Sequence, residues 1–337
     1  MISYSQYGFM YNTLYHTDNL NQYSFLITGG AGFIGSNLAE YLLKYGARKV
    51  RVLDNFSTGF YNNISLFASD PAFELIEGDI RNLDICKQAV VGMDYVSHQA
   101  ALGSVPRSIN DPMTTNTVNI DGFLNMLLAV RDERSVKRMV YAASSSTYGD
   151  SKELPKKEGN EGKPLSPYAV TKLVNELYAD VFSTLYGLHT VGLRYFNIFG
   201  PRQDPHGAYA AVIPLFMRAA IDKKTPTING NGETSRDFTF VENAVQANVK
   251  ALLNTSNLSK HEVANIACGE RTTLNQLWSD IARLAGFNKE ANYGPERTGD
   301  VQHSLAEINK AQCLFDYVPV WKVKEGLEKA FEYYKYY

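Results

Sequence analysis

Residues 23–35 read Tyr23-Ser24-Phe25-Leu26-Ile27-Thr28-Gly29-Gly30-Ala31-Gly32-Phe33-Ile34-Gly35, and this stretch decides the fold. The apolar run through Thr28 is that of a short strand buried on both faces of a parallel sheet. It passes straight into four glycines within seven residues, then into a helical pattern from Ser36 through Lys44. A strand-to-helix turn needs glycine where the backbone bends sharply and where the helix must lie close on the strand. The unpaired N–H groups of the first helical turn, at the positive end of the helix dipole, make such a turn a site for phosphate.

The same unit repeats downstream. Val50–Asp54 reads as a second strand ending in a carboxylate, 25 positions beyond Gly29. That is near the spacing of the acid that accepts the hydroxyls of an adenosine ribose. A carboxylate there repels a 2′-phosphate, which favours NAD over NADP. Arg51 has the opposite sign but precedes the strand end and is expected to face elsewhere. A third strand, Phe73–Glu77, leads to Gly78-Asp79-Ile80; Asp79 either meets the adenine edge or serves the turn. Asp94–His98, Arg138–Ser144, Thr190–Tyr195 and Glu262–Ile266 continue the series, with helical segments between them. Strands alternating with helices predict an α/β fold, a Rossmann doubly wound parallel sheet whose ligands sit at the carboxyl ends of the strands.

Ser144 stands at one such end, and downstream lies Ser166-Pro167-Tyr168-Ala169-Val170-Thr171-Lys172. Pro167 suits the first position of a helix. Tyr168 and Lys172 are then one turn apart and share a face. An ammonium beside a phenol favours phenolate, so Lys172 is expected to draw the Tyr168 pKa down and make it a general base.

Taken together, T-G-x-x-G-x-x-G at Thr28–Gly35, Asp54-Asn55, and Y-x-x-x-K preceded by a serine resemble the extended short-chain dehydrogenase/reductase family, from about residue 23 to the C-terminus. Asn55–Gly59, Leu193–Pro201, Arg236-Asp237-Phe238 and Arg297 with Asp300 look like its nucleotide-sugar epimerases. Ala100–Ser108 and Gly207–Pro214 are similar to bacterial UDP-N-acetylglucosamine 4-epimerases.

The resemblance implies a cycle in which Tyr168 removes the proton of the sugar 4-hydroxyl as hydride passes to NAD. Ser144 then holds the 4-keto oxygen, Lys172 binds the nicotinamide ribose, and hydride returns to the other face of the turned sugar. NAD would lie against Gly29, Gly32, Phe33, Ile34, Gly35, Asp54, Asn55, Ser57, Thr58, Gly59, Asp79, Ile80, Gln99, Ala100, Ala101, Thr117 and Tyr195, besides Tyr168 and Lys172. A UDP-N-acetylhexosamine would meet Gly103, Ser104, Ser144, Ser145, Ser146, Asn197, Ala211, Val212, Asn229, Arg236, Arg297, Asp300 and Ser304. Of these, Arg236 and Arg297 would clamp the diphosphate, a role suited to a forked guanidinium. Asp300 would hold a ribose hydroxyl and Asn229 would lie near the uracil. Gly103 and Ser304 are small where the family often carries bulkier residues, leaving space for an N-acetyl group.

Three points stay open. Arg107 either pairs with a C6 carboxylate, or caps the following helix or binds a neighbouring carbonyl. Asp237 has either a role of its own or that of a partner orienting Arg236. His98 is packed or lies beside the cofactor. A 4,6-dehydratase of this family carries Asp-Glu where this chain has Ser145-Ser146, which lack a pKa for that task. The resemblance therefore implies conversion of UDP-GlcNAc to UDP-GalNAc. The alternatives are the uronate counterpart and a net UDP-sugar oxidoreductase or decarboxylase.

A formal charge of only −2 in 337 residues implies no general attraction to nucleic acid or anionic membrane. No apolar run reaches the roughly 18 residues of a membrane span. Three distant cysteines and six histidines without ligand spacing fit reduced, cytoplasmic thiols and no metal. The expected layout is an N-terminal extension (1–22), an NAD-binding domain (23–195 with 237–267) and a smaller α/β UDP-sugar domain (196–236 with 268–337). The Tyr- and Asn-rich extension is either an arm packed on the surface or a tail. By analogy, a homodimer would form through helices at 115–130 and 168–186.

Overall fold

The computed structural model describes residues 11–207, 209–253, 259–296 and 302–337. Seven strands form one parallel sheet: β1 Ser24–Thr28, β2 Lys49–Asp54, β3 Phe73–Glu77, β4 Tyr95–His98, β5 Arg138–Ser144, β6 Thr190–Tyr195 and β7 His261–Ile266. Their order is β7-β6-β5-β4-β1-β2-β3. The chain moves outward from β1 in one direction, then returns beside it with β4, so the winding reverses between β1 and β4. A crevice must open there, because the connections leave to opposite faces.

Side chains alternate across the sheet with a period of two, and each face needs its own cover. Phe25 and Ile27 of β1 pack with Leu38, Leu42, Val245 and Val249 on one face. Leu26, between them, packs with Val96, Phe123, Met126 and Tyr141 on the other. A third cluster joins Phe199, Phe216, Trp278, Ile281, Leu327 and Phe331, from helices Val212–Ile221, Leu274–Leu284 and Val323–Tyr334 among others. Each fully buried Phe or Leu contributes about 1.5–3 kcal/mol.

Residues 11–22 are an arm packed on helix α1, Phe33–Lys44, with Tyr11, Tyr15 and Leu20 buried. The rest of the extension lies outside the described residues. The helix expected at 115–130 is interrupted: α-helix Pro112–Asn116 passes through a wide π turn, Thr117–Asp121, into α-helix Gly122–Asp132. Among the described residues no helix is long and apolar enough to cross a membrane, and no group of His, Cys, Asp or Glu is placed to hold a metal ion. Cys86 and Cys268 are buried and Cys313 is exposed.

Candidate active site

A cavity of about 420 Å³ opens at the carboxyl ends of β1, β2, β4 and β5, over the reversal in strand order. Its floor begins with the glycine turn. Gly29 has φ +66°, and a Cβ there would stand 2.7 Å from the Ala100 nitrogen. A Cβ on Gly35 would collide with the Gly29 carbonyl and come within 2.8 Å of the Gly30 Cα. Glycine at these positions lets α1 start three residues earlier than its sequence pattern suggests, at Phe33. Gly32, its N-cap, has no side chain to bond the first amides, so those N–H groups are left for an anion.

Asp54 closes the next wall, as a buried carboxyl that accepts the amides of Ala31 at 2.9 Å and Phe56 at 2.8 Å. Burial raises its pKa while those amides lower it. A carboxylate has about four lone-pair sites, so two bonds leave capacity for ribose hydroxyls. Asn55 donates to Asp79 at 2.8 Å. Arg81 clasps the same carboxylate at 2.7 Å, and with other hydrogen bonds holds the Asp79 pKa down at about 2. Arg51 points away, to the Ala89 and Val91 carbonyls. The uncapped helix start, the glycine cradle and the acid at the second strand end fit a dinucleotide, and the neighbouring cation, Arg81, is engaged by Asp79 rather than offered to a 2′-phosphate.

At the other end the catalytic candidates meet. Ser166 caps helix Pro167–Tyr186 by accepting from Ala169 at 3.1 Å, which sets Tyr168 in the first turn against Ser144 at the end of β5. Ser144 Oγ accepts from the Ser146 amide at 3.1 Å and lies 2.9 Å from the Ser146 hydroxyl. Its own proton is thereby directed toward Tyr168, whose pKa burial raises and the Ser144 hydrogen bond lowers. Lys172 donates to the Ala142 carbonyl at 2.7 Å, with its nitrogen 6.0 Å from the Tyr168 ring centroid. Burial draws its pKa down to about 8, against the pull of Glu176.

This corrects one expectation: burial displaces the phenol upward, and the group that draws it back is the Ser144 hydroxyl rather than the Lys172 ammonium. His98 is packed rather than reactive. Its Nδ1 lies 2.8 Å from Thr28 Oγ1, and burial, with Lys172 nearby, drops its pKa to about 3.

Every residue expected to meet the cofactor lines this cavity except Thr117. The extra residue of the π turn rotates Val118 into its place, and the Thr117 hydroxyl donates to the Thr114 carbonyl at 3.1 Å. Of the sugar-side residues, Gly103, Ser144 and Asn197 line it. Ser146 supports Ser144 from behind, Ser145 opens the same 3₁₀ turn, and Ser104 caps helix Val105–Asn110 by accepting from Arg107 at 3.3 Å. Ala211 caps helix Val212–Ile221. Asn229 pairs with Gly294, while Arg236 donates to the Ser235 and Gln302 carbonyls and Ser304 N–H bonds Ser235. Arg297 and Asp300 lie outside the described residues.

The packing answers two open points. Arg107 stacks on Tyr209, 5.2 Å from the ring centroid. Asp237 does not orient Arg236. It is fully buried and accepts the amides of Cys268, Gly269 and Ala306 at 2.9–3.2 Å.

Sequence reasoning missed Asn248. On helix Val241–Leu253 it donates to Tyr195 Oη at 2.7 Å and accepts from Gln99 at 3.0 Å, fixing two cavity residues at once. A polar residue within a run such as Ala247-Asn248-Val249 was the available signal. Gln203 was missed too; it lines the cavity and donates to the Ile198 carbonyl at 3.2 Å.

Residues 25–267 match a family described as the NAD dependent epimerase/dehydratase family. The chain is 36% identical to a solved UDP-N-acetylglucosamine 4-epimerase from Methanobrevibacter ruminantium M1, in complex with UDP-N-acetylmuramic acid, with 93% of this chain and 98% of that one covered and a TM-score of 0.87. It is 33% identical to the UDP-glucose 4-epimerase of Mycolicibacterium smegmatis, over 92% of this chain and 98% of that protein. A solved UDP-glucuronic acid 4-epimerase from Bacillus cereus, in complex with UDP-glucuronic acid and NAD, is 31% identical, with 93% and 99% covered and a TM-score of 0.85.

Proposed function

The chain belongs to the NAD dependent epimerase/dehydratase family, and from that premise we propose that it inverts C4 of a UDP-N-acetylhexosamine, interconverting UDP-GlcNAc and UDP-GalNAc. That it is an NAD-dependent epimerase of UDP-sugars follows from its relatives; the N-acetyl sugar is the finer step. The observation that carries this step is Gly103 on the cavity wall, where an added Cβ would find no atom within 4 Å. That open volume suits a substituent larger than hydroxyl on the sugar. The uronate receives less support, because Arg107 is stacked on Tyr209 rather than directed to the cavity.

Bound NAD supplies the hydride acceptor and a cationic ring. The protein's part is proton handling and placement. Tyr168 Oη takes the proton of the 4-hydroxyl. Ser144, with its acceptor capacity used by Ser146, donates its hydrogen to the developing keto oxygen. Lys172 adds positive charge beneath the phenol, and the amides at Phe33–Gly35 hold the dinucleotide phosphates. Residues 23–195 with 237–267 carry the cofactor in this proposal, and 196–236 with 268–337 the UDP-sugar, with Arg236, Arg297, Asp300 and Asn229 on the UDP. Leu177, Val181 and Leu185 leave an exposed apolar stripe at i, i+4 and i+8 on helix Pro167–Tyr186, which supports a homodimer through that helix.

The test is incubation of purified protein with UDP-GlcNAc, UDP-GlcNAc uronate and UDP-Glc, with products resolved by NMR. The proposal expects fastest C4 inversion on UDP-GlcNAc without accumulating NADH. Net NADH or CO₂ would replace it with an oxidoreductase or decarboxylase.

A further inference from the structure

The arm ahead of β1 is wired to the cofactor wall. Tyr11 is fully buried, and its hydroxyl donates to Asn37 Oδ1 at 2.6 Å. With its oxygen so occupied, the Asn37 amide nitrogen donates to two carbonyls, Phe33 at 2.8 Å and Pro201 at 3.1 Å. Phe33 is the first residue of α1 and lines the cavity. Pro201 leads through Arg202, at φ +71°, to Gln203 on the facing wall. Arg202 also pairs with Glu40 of α1, with both side chains buried. One buried amide, oriented by the arm, thus ties the phosphate-binding helix to the turn opposite it. An Asn side chain offers two N–H donors and one oxygen acceptor; with Tyr11 on the oxygen and two carbonyls on the nitrogen, each is used and the amide is fixed in one orientation.

The arm is well anchored for this task. Lys44 donates to the Tyr11 carbonyl. The Tyr15 amide donates to Tyr41 Oη at 2.7 Å, and the Tyr15 hydroxyl to Glu242 at 2.7 Å. Tyr15 stacks on Tyr41 at 5.7 Å between centroids, with Tyr11 edge-on at 5.6 Å. None of this involves a residue that touches the cavity, and the arm precedes the family-matched region, which starts at residue 25.

We propose that the Tyr11–Asn37 pair is a clasp that slows release of bound NAD, with Tyr11 and Asn37 as positioning residues. This rests on placing the dinucleotide at Gly29–Gly35. A dinucleotide held between two walls leaves only when they separate locally, and a tie across them raises the cost of that opening. Its effect falls on the dissociation rate, as ties in a formed complex do. A cycle that takes hydride from C4 and returns it needs a cofactor that stays in place between the two transfers.

The experiment loads the full-length protein with NAD and follows its exchange against excess isotopically labelled NAD by mass spectrometry, alongside Tm. Tyr11→Phe removes the hydroxyl and keeps the ring. Tyr15→Phe cuts the tie to Glu242 but leaves the Asn37 relay, and so controls for loosening of the arm in general. Tyr11→Phe is expected to exchange about three- to tenfold faster, the factor one buried hydrogen bond carries, with Tyr15→Phe near the parent rate. Exchange in Tyr11→Phe at the parent rate, or equal acceleration in both variants in step with Tm, would overturn the clasp alone. A parent protein that binds no NAD would overturn the cofactor placement beneath it as well.

Discussion

Tyr168 and Lys172 stand one helical turn apart with the lysine nitrogen 6.0 Å from the phenol ring centroid, and burial displaces their pKa values in opposite directions, the tyrosine upward and the lysine down to about 8. Both groups are drawn toward neutrality by the same loss of water. The pair is therefore poised to hold a charge only when further positive charge or hydrogen bonding is brought in, which Ser144 and the cofactor ring do in the proposed cycle.

Tyr168→Phe keeps the ring and removes the base. Turnover should fall by about 10²–10⁴, the range of general base catalysis, while NAD stays bound. Single-turnover assays with the NAD content measured in parallel check this. Retention of a tenth of the parent rate would remove Tyr168 from its role.

Gly35→Ala puts a methyl group against the Gly29 carbonyl and within 2.8 Å of the Gly30 Cα, both of them backbone. Overpacking of this kind costs about 1–3 kcal/mol, and relief requires α1 to move off the strand. The variant should lose NAD affinity by tenfold or more in a fluorescence titration. Unchanged affinity would show that the glycine contact is not what sets the helix position.

Asp237 joins three backbone segments, and burial lifts its pKa to about 7. Because the folded value lies above the unfolded one, the folded chain binds more protons between about pH 4 and 7, and this carboxyl's contribution to stability falls as pH rises through that window. Asp237→Asn turns an N–H toward amides that need acceptors and should cost about 1–3 kcal/mol. Urea denaturation should show the parent's advantage over the variant to be larger at pH 5 than at pH 8; the reverse order would contradict the assignment.

Arg194 grips Glu176 with two bonds, at 2.9 and 2.7 Å, on the helix that carries Tyr168 and Lys172. Both side chains are at least 90% buried. Glu176→Gln leaves Arg194 with Glu161 alone and should cost about 3–5 kcal/mol, as removal of one partner from a buried ion pair does. Equilibrium unfolding measures it directly, and a cost below 1 kcal/mol would mean that Glu161 suffices.

The strands, the glycine turn, the acid of Asp54 and the Tyr168–Lys172 spacing were legible in the sequence because each is local. A strand's apolar run, a glycine's positive φ and an i, i+4 face are consequences of neighbours along the chain. What only the tertiary structure decided depends on groups far apart in sequence. The direction of the Tyr168 shift comes from burial by the whole site, and the role of Asp237 from amides 31 to 69 positions away. Asn248 gains its meaning from Tyr195 and Gln99, and Arg107 from Tyr209. Val118 replaces Thr117 because a single added residue in a helical turn rotates everything after it. The amino-terminal arm found its place on α1 only when Tyr11 met Asn37, since no local pattern tells a tyrosine which buried amide it will orient.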